Sequence, residues 1–452
     1  MNIAPFHPVP SSPVSLIPAL FRLALLLPVI LFAGCREMQS PGPAAAAPPS
    51  VADGPSHLPG VGFNPGGPDL ASFTDADGAF PRASRRTWWQ PTHSVDGFSR
   101  LDQILPAHRV PRGDMTSVWQ RAATVPAITY ATPQSGGRRF TIEEYLQRNP
   151  ATGLLIAQDD TIHFERYQYA RNDGHRLTSF SMAKTVTAML VGLAVADGAI
   201  ASIDDPAERY VPALAGSEYG RTPIRHLLTM SSGVRFTEEY NGRDDVSRLT
   251  YAVLHPQSRG GSAAVRQFND RIAAPGERWS YASAETQVLG LVLRAAIGRP
   301  IAEYLSERIW QPIGAEADAS WVVDTSGQEV TYAHFNAVLR DYARFGMLLA
   351  HGGRAGGRQV IPEAWLREAT KPHFTSAQTG RWFGYGFQTW IFPDNDGSFA
   401  LLGVRGQAVF IDPSRRLVMV HTAVRPGARD PRAAEATALW RGVKAAFPKL
   451  SH

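Results

Sequence analysis

The chain is poor in lysine. Of its 45 basic residues only Lys184, Lys371, Lys444 and Lys449 are lysines, and all the others are arginines. The arginines fall in short groups such as "GGRR" and "PSRR". There is no long basic run interleaved with aromatics, which argues against a nucleic-acid partner. The net charge of +5 reads as a solvated surface. Cysteine is nearly absent, and with Cys35 alone no intrachain disulfide can form. There is no H-E-x-x-H and no clustered His/Cys set, so neither a catalytic metal nor another cofactor is expected. No G-x-S-x-G elbow occurs, which argues against an ordinary α/β-hydrolase. Internal repeats are lacking too.

The longest uncharged apolar run before the main domain, Leu23 to Gly34, follows Arg22 and is too short to span a bilayer. It suits the apolar region of a signal peptide. Ala33 and Gly34 stand directly before Cys35, as in a bacterial lipoprotein signal. Residues 1–34 are therefore expected to be removed and Cys35 lipidated, and an ordinary secretory signal with an incidental cysteine is the alternative. Either way the compartment lies outside the cytoplasm, and the expectation is the cell envelope or periplasm with membrane attachment only through a lipid on Cys35.

Residues 35–80 are rich in Pro, Gly and Ala, as in "SPGPAAAAPPS", and read as a tether. Residues 81–138 carry scattered aromatics (Trp88, Trp89, Trp119) and read as an extension packing on the main domain, residues 139–452. That domain opens with "TGLLIAQDDTIHFERYQYA", two strands around Asp159-Asp160. Near its end "GQAVFIDPSRRLVMVHTAV" gives a second hairpin turning at Pro413-Ser414, and "PRAAEATALWRGVKAAF" a closing helix. Between the hairpins the pattern is mostly helical. The predicted fold class is α+β, an antiparallel sheet flanked by helices, with an inserted helical region and a cleft at the junction.

One of the four lysines lies in the apolar stretch "TSFSMAKTVTAMLVGLAVADG". Apolar residues at Met182, Val186, Met189, Leu190 and Leu193 predict a helix, capped by Thr178 or Ser179 and ended at Gly198. Ser181 then sits in the first turn, where unpaired amides and the helix dipole favour developing negative charge. Lys184, three residues on, shares its face. Serine is a weak nucleophile until a neighbour takes its proton, and burial among apolar residues lowers a lysine's pKa enough to let it do so. In "PGERWSYASAE", Tyr281 stands at a loop–helix junction and can present its phenol to the cleft as a proton shuttle. In "LLGVRGQAVFID", Gly403 and Gly406 open a strand and permit close backbone approach, and the amides of Gln407 and Ser181 can hold an oxyanion. Asp204-Asp205 reads as a turn, His226 as structural, and "HGGRAGGR" as a surface turn.

The ordered set Ser181-Met-Ala-Lys184, Tyr281-x-Ser283 and Gly406-Gln407 resembles the serine hydrolases related to class C β-lactamases and penicillin-binding proteins, in particular the 6-aminohexanoate-dimer hydrolase branch. "IDDPAERYVPAL", "IRHLLTMSSGVRFTEEY", "RDYARFGMLLAHGGR" and "GYGFQTW" extend the similarity. The resemblance implies a β-lactamase-like fold. It also implies Ser181 as nucleophile, Lys184 and Tyr281 exchanging its proton, and an oxyanion hole from the Ser181 and Gln407 amides. Which of Lys184 and Tyr281 is the base stays open. Tyr240 matches a flap tyrosine over the substrate and Asn336 a cleft asparagine, with Ser283 and Gly406 also at the substrate. The β-lactamase pattern has Asn where this chain has Ser283, and Lys-Thr-Gly where it has Val404-Arg405-Gly406. Arg405, as a strand neighbour, is expected to point away from the cleft. Hydrolysis of small esters or linear amides through an acyl-enzyme fits best. A β-lactamase or D,D-peptidase and a non-catalytic envelope lipoprotein binding cell-wall peptide are the alternatives.

Overall fold

The computed structural model of the chain describes residues 61–450. Cys35 and the signal segment lie outside the described residues, as does most of the expected tether.

Both predicted hairpins are present. In chain order the elements that build the fold are β1 (Gly62–Phe63), β2 (Ala107–Val110), β3 (Ala151–Gln158), β4 (Thr161–Tyr167), β5 (Leu177–Thr178), α1 (Ala183–Ala196), α2 (Ser283–Ile297), β6 (Ala319–Val322), β7 (Phe335–Ala337), α3 (Leu339–Ala350), β8 (Gly384–Tyr385), β9 (Trp390–Ile391), β10 (Phe399–Gly403), β11 (Gln407–Asp412), β12 (Leu417–Ala423) and α4 (Ala433–Ala446). The main sheet runs β1-β4-β3-β12-β11-β10-β9-β8. It is antiparallel from β4 to β8, with β12 of the second hairpin paired to β3 of the first. At its outer edge β4 is covered by two short parallel pieces, β1 and Gln120–Arg121, which remove an open strand edge.

Strand alternation sorts the sheet's residues onto two faces. Leu155, Ala157, Val409, Ile411, Val418 and Val420 join one apolar core with Leu339 and Ala343 of α3. Leu154, Ile156, Ala408, Phe410, Leu417 and Met419 join another with Leu439, Trp440 and Val443 of α4. Because both faces are covered, β12 is buried along its whole length, and Leu417 to Val420 form a continuous apolar run rather than an alternating one. The ring of Phe410 stacks on that of Trp440 at 5.8 Å.

A second sheet, β2-β6-β7-β5, lies beside the helical region. It is built by the extension through β2 and was not foreseen, and neither were β8 and β9. The tether also ends earlier than its composition suggests. Phe63 stacks on Tyr167 at 5.5 Å, and Phe73 is fully buried edge-on to Tyr169 at 5.4 Å. Two aromatics with partners on β4 and just beyond it outweigh the ordering cost of a Pro/Gly-rich segment. No helix among the described residues is long and apolar enough to cross a membrane.

Candidate functional site

Helix α1 is buried on nearly every side from Ala183 to Ala194, which explains its weakly amphipathic sequence. It is entered through a 3₁₀ turn, Phe180–Met182, that carries Ser181. No side chain caps it. Ser179 instead donates to the Phe180 carbonyl at 2.9 Å and accepts from the Phe335 amide at 3.1 Å, and Thr178 is consumed in β5. The expected caps are thus replaced by a tie to the small sheet. Gly198, with φ of 75°, closes the far end as the sequence suggested.

Phe180 has a φ of 43°, a left-handed conformation costly for a residue with a β-carbon. Its ring is held edge-on by Phe98 at 4.9 Å and flanked by Trp88 at 6.3 Å and His334 at 5.8 Å. The Phe98 carbonyl also accepts from the Thr178 amide at 2.8 Å. The extension therefore supplies the packing that fixes the turn bearing Ser181.

Lys184 is 1% exposed. Its Nζ lies 3.0 Å from Ser181 Oγ, 3.0 Å from Ser283 Oγ and 2.9 Å from the Tyr332 carbonyl. Burial pushes its pKa down to about 8, while the Glu238 carboxylate acts in the opposite sense. Ser283 Oγ donates to Glu238 Oε1 at 2.9 Å, because a carboxylate can only accept. It must then accept from Lys184, as must the Tyr332 carbonyl. Two of the three Nζ positions are donors by necessity. The third faces Ser181 and, in the neutral amine, is a lone pair.

Tyr281 closes the other side. It lines the cleft with Ser181, and its ring lies 5.0 Å from Lys184 Nζ. Burial, then the Glu238 charge, hold its pKa well above the ordinary tyrosine value. A phenol so held stays protonated near neutral pH.

Glu238 was not singled out by the sequence reading, although it lies two residues before Tyr240 in "FTEEY", the spacing at which extended residues share a side. It accepts from Tyr240 Oη at 2.6 Å, from the Ser283 amide at 2.8 Å and from Ser283 Oγ. Tyr240 lines the cleft with Ser181 and Tyr281.

The glycine pair does not open a strand. Gly403 ends β10 and Gly406 precedes β11, and they frame a tight turn in which Arg405 has φ of 62° and Gly406 of 98°. A β-carbon on Gly403 would stand 2.4 Å from the Ser179 carbonyl, so only glycine lets this strand approach the Ser181 turn. Gln407, opposite Gly403, lines the cleft. Its side chain is locked to Ala423, donating to the carbonyl at 2.8 Å and accepting from the amide at 3.1 Å. His421 fixes the turn from behind. Its Nδ1 donates to the Gly406 carbonyl at 2.6 Å and its Nε2 accepts from Tyr145 at 2.9 Å. Burial keeps His421 neutral, with a pKa near 3.

Two placements and one reason need correction. Asn336 is not in the cleft. It is fully buried in β7, between β5 and β6, donating to the His334 carbonyl at 3.0 Å and Ser320 Oγ at 3.2 Å. Ser283 is 1% exposed and lies behind Lys184, where it bonds Lys184 and Glu238 instead of facing the cleft. Arg405 is turned away because it belongs to a turn, not to a strand. It donates to the Pro426 carbonyl at 2.8 Å and lies 5.8 Å from the Phe98 ring.

The cleft encloses about 940 Å³ and brings together Ser181, Tyr240, Tyr281, Gly406 and Gln407. Among the described residues no three His, Cys, Asp or Glu side chains gather as a metal site. Residues 139–443 match the β-lactamase family. The chain belongs to that family of serine hydrolases. It is 26% identical over 379 residues to the 6-aminohexanoate-dimer hydrolase of Paenarthrobacter ureafaciens, covering 79% of this chain and 90% of that one. A solved Bacillus anthracis protein, provisionally named a 6-aminohexanoate-dimer hydrolase, superposes with a TM-score of 0.72 at 22% identity, over 80% of this chain and 98% of its own, and shares the fold. Esterase EstB of Burkholderia gladioli is 31% identical over 146 residues, 30% of this chain and 36% of the esterase.

Proposed function

We propose that this β-lactamase-family hydrolase cleaves small esters or linear amides through an acyl-enzyme on Ser181. The observation that carries the reading is the donor inventory at Lys184, which leaves its neutral lone pair facing only Ser181 Oγ. Lys184 takes the Ser181 proton as Oγ attacks the carbonyl carbon. The amides of Ser181 and Gln407 receive the oxyanion, in a turn whose backbone is held by Gly403, Gly406 and His421. Tyr281, held protonated, gives its proton to the departing alcohol or amine and recovers it from Lys184. Water then repeats the sequence on the acyl-enzyme, with the serine oxygen as leaving group.

The similarity to an amide hydrolase and to an esterase supports this substrate range. Efficient β-lactam or D,D-peptide cleavage is not proposed, since Arg405 spends its guanidinium on backbone carbonyls. A chromogenic cephalosporin assay separates the two. Envelope placement through lipidated Cys35 belongs to the same proposal and rests on the sequence around that residue. Ser181→Ala and Lys184→Ala are each expected to abolish p-nitrophenyl ester turnover. Turnover unchanged in either one sinks the mechanism.

A further inference from the structure

One wall of the cleft is a row of aromatic rings beginning at the reacting centre. Tyr281 stacks on Trp390 at 5.4 Å with an interplanar angle of 26°. Phe383 follows Trp390 at 5.9 Å, and Trp382 follows Phe383 at 4.6 Å. Trp279 joins from the side, 6.0 Å from Trp390 and 6.2 Å from Tyr281. All five rings line the same cavity as Ser181. Tyr385, fully buried, backs the row at 5.0 Å from Trp390, 5.6 Å from Trp279 and 6.2 Å from Tyr281. The outer end is Trp382, 41% exposed. There the Arg441 guanidinium lies 4.9 Å from the ring and pairs with Asp394.

A single exposed tryptophan needs no explanation, but a continuous row leading from a nucleophile to solvent does. Such rings offer large apolar area at small entropic cost, because each has only two side-chain torsions to fix. The wall extends three ring steps beyond Tyr281, so an acetyl-sized group would leave most of it wet. Resting on the hydrolase reading above, we propose that this aromatic row is a subsite for an extended apolar arm of the substrate, running from the scissile carbonyl to Trp382. The arm belongs either to the acyl group or to the leaving alcohol or amine. The shared chemistry is an unbranched or aromatic chain long enough to reach the outer rings.

Two ester series read the proposal. One varies the acyl group from p-nitrophenyl acetate to octanoate, and the other varies the alcohol from methyl to octyl acetate, followed by proton release. In one series kcat/KM should rise roughly fourfold per methylene, the value of apolar burial, until the arm passes Trp382. The Trp382→Ala variant should cut the ratio of longest to shortest substrate by about tenfold, carried in KM, and Trp382→Phe should restore most of it. Flat series in the wild type, or a ratio untouched by W382A, overturn the subsite. If Ser181 is still labelled by a fluorophosphonate in that case, the hydrolase reading stands without it. If Ser181 is unlabelled and no ester turns over, the hydrolase reading fails and the subsite falls with it.

Discussion

Replacing Glu238 by glutamine removes one negative charge behind Lys184 while keeping an oxygen to accept from Ser283 and Tyr240. The links from Glu238 to Ser283 and from Ser283 to Lys184 measure 2.9 and 3.0 Å, so the carboxylate and the amine lie within roughly 6 Å of each other. At that separation a unit charge is worth about 3 kcal/mol at an effective dielectric constant of 20, and about 0.7 kcal/mol in bulk water. Glu238 is half-buried and lines the cleft, so the working value lies between these limits and corresponds to about one pH unit. The carboxylate favours the ammonium form of Lys184, and the reaction needs the amine. Loss of the charge should therefore move the acid limb of kcat/KM, set near 8 by Lys184, to lower pH. The same charge opposes ionisation of Tyr281, whose phenol stays protonated across the assay range in either form of the protein. The other groups facing the pair change little in this range. Burial holds His334 neutral with a pKa near 3, and Tyr332 stays protonated. The assay is the pH dependence of kcat/KM for p-nitrophenyl acetate, read at the product's isosbestic wavelength. An acid limb that stays put, or climbs, in Glu238→Gln would refute Lys184 as the titrating base.

Other consequences are equally direct. Phe98→Leu should lower kcat by about tenfold and leave KM within roughly twofold, since the ring steadies the left-handed Phe180 turn without touching substrate. Equal effects on both parameters would contradict that role. Glu285 is buried, held by Ser232 at 2.5 Å, and burial raises its pKa to about 8. Between about pH 4.3 and 8 the unfolded chain binds fewer protons there than the folded one, so stability falls as pH rises, by on the order of 3–5 kcal/mol. Glu285→Gln should flatten that decline in urea melts, gaining stability at pH 8 and none at pH 4. Trp440→Ala, which removes the partner of Phe410 from the α4 face, should cost about 3–5 kcal/mol in the same melts.

The two hairpins, the closing helix and the Ser181–Lys184 pair were legible because each is local. Turn residues, strand alternation and an i, i+3 helix spacing all act within one short segment. Tyr281 and Gln407 became legible through the order of their motifs. Glu238 was not, since it meets Lys184 through Ser283, a residue 45 positions away whose hydroxyl bonds both. Tyr332 binds Lys184 through its backbone carbonyl, which no side chain announces. Trp88 read as a scattered aromatic, and Phe98 was not singled out, because their partner, Phe180, is reached only once the extension has folded against the 3₁₀ turn. Asn336 was misplaced for a related reason. A three-residue strand between two others buries what its sequence leaves looking available.

The proposed mechanism turns on a covalent bond to one oxygen. Mixing the protein with a p-nitrophenyl ester, quenching in acid within the burst and mapping the peptides by mass should find the acyl group on Ser181, with none in Ser181→Ala. Steady ester turnover with no acyl adduct on that serine, or an adduct that survives its replacement, would contradict the account.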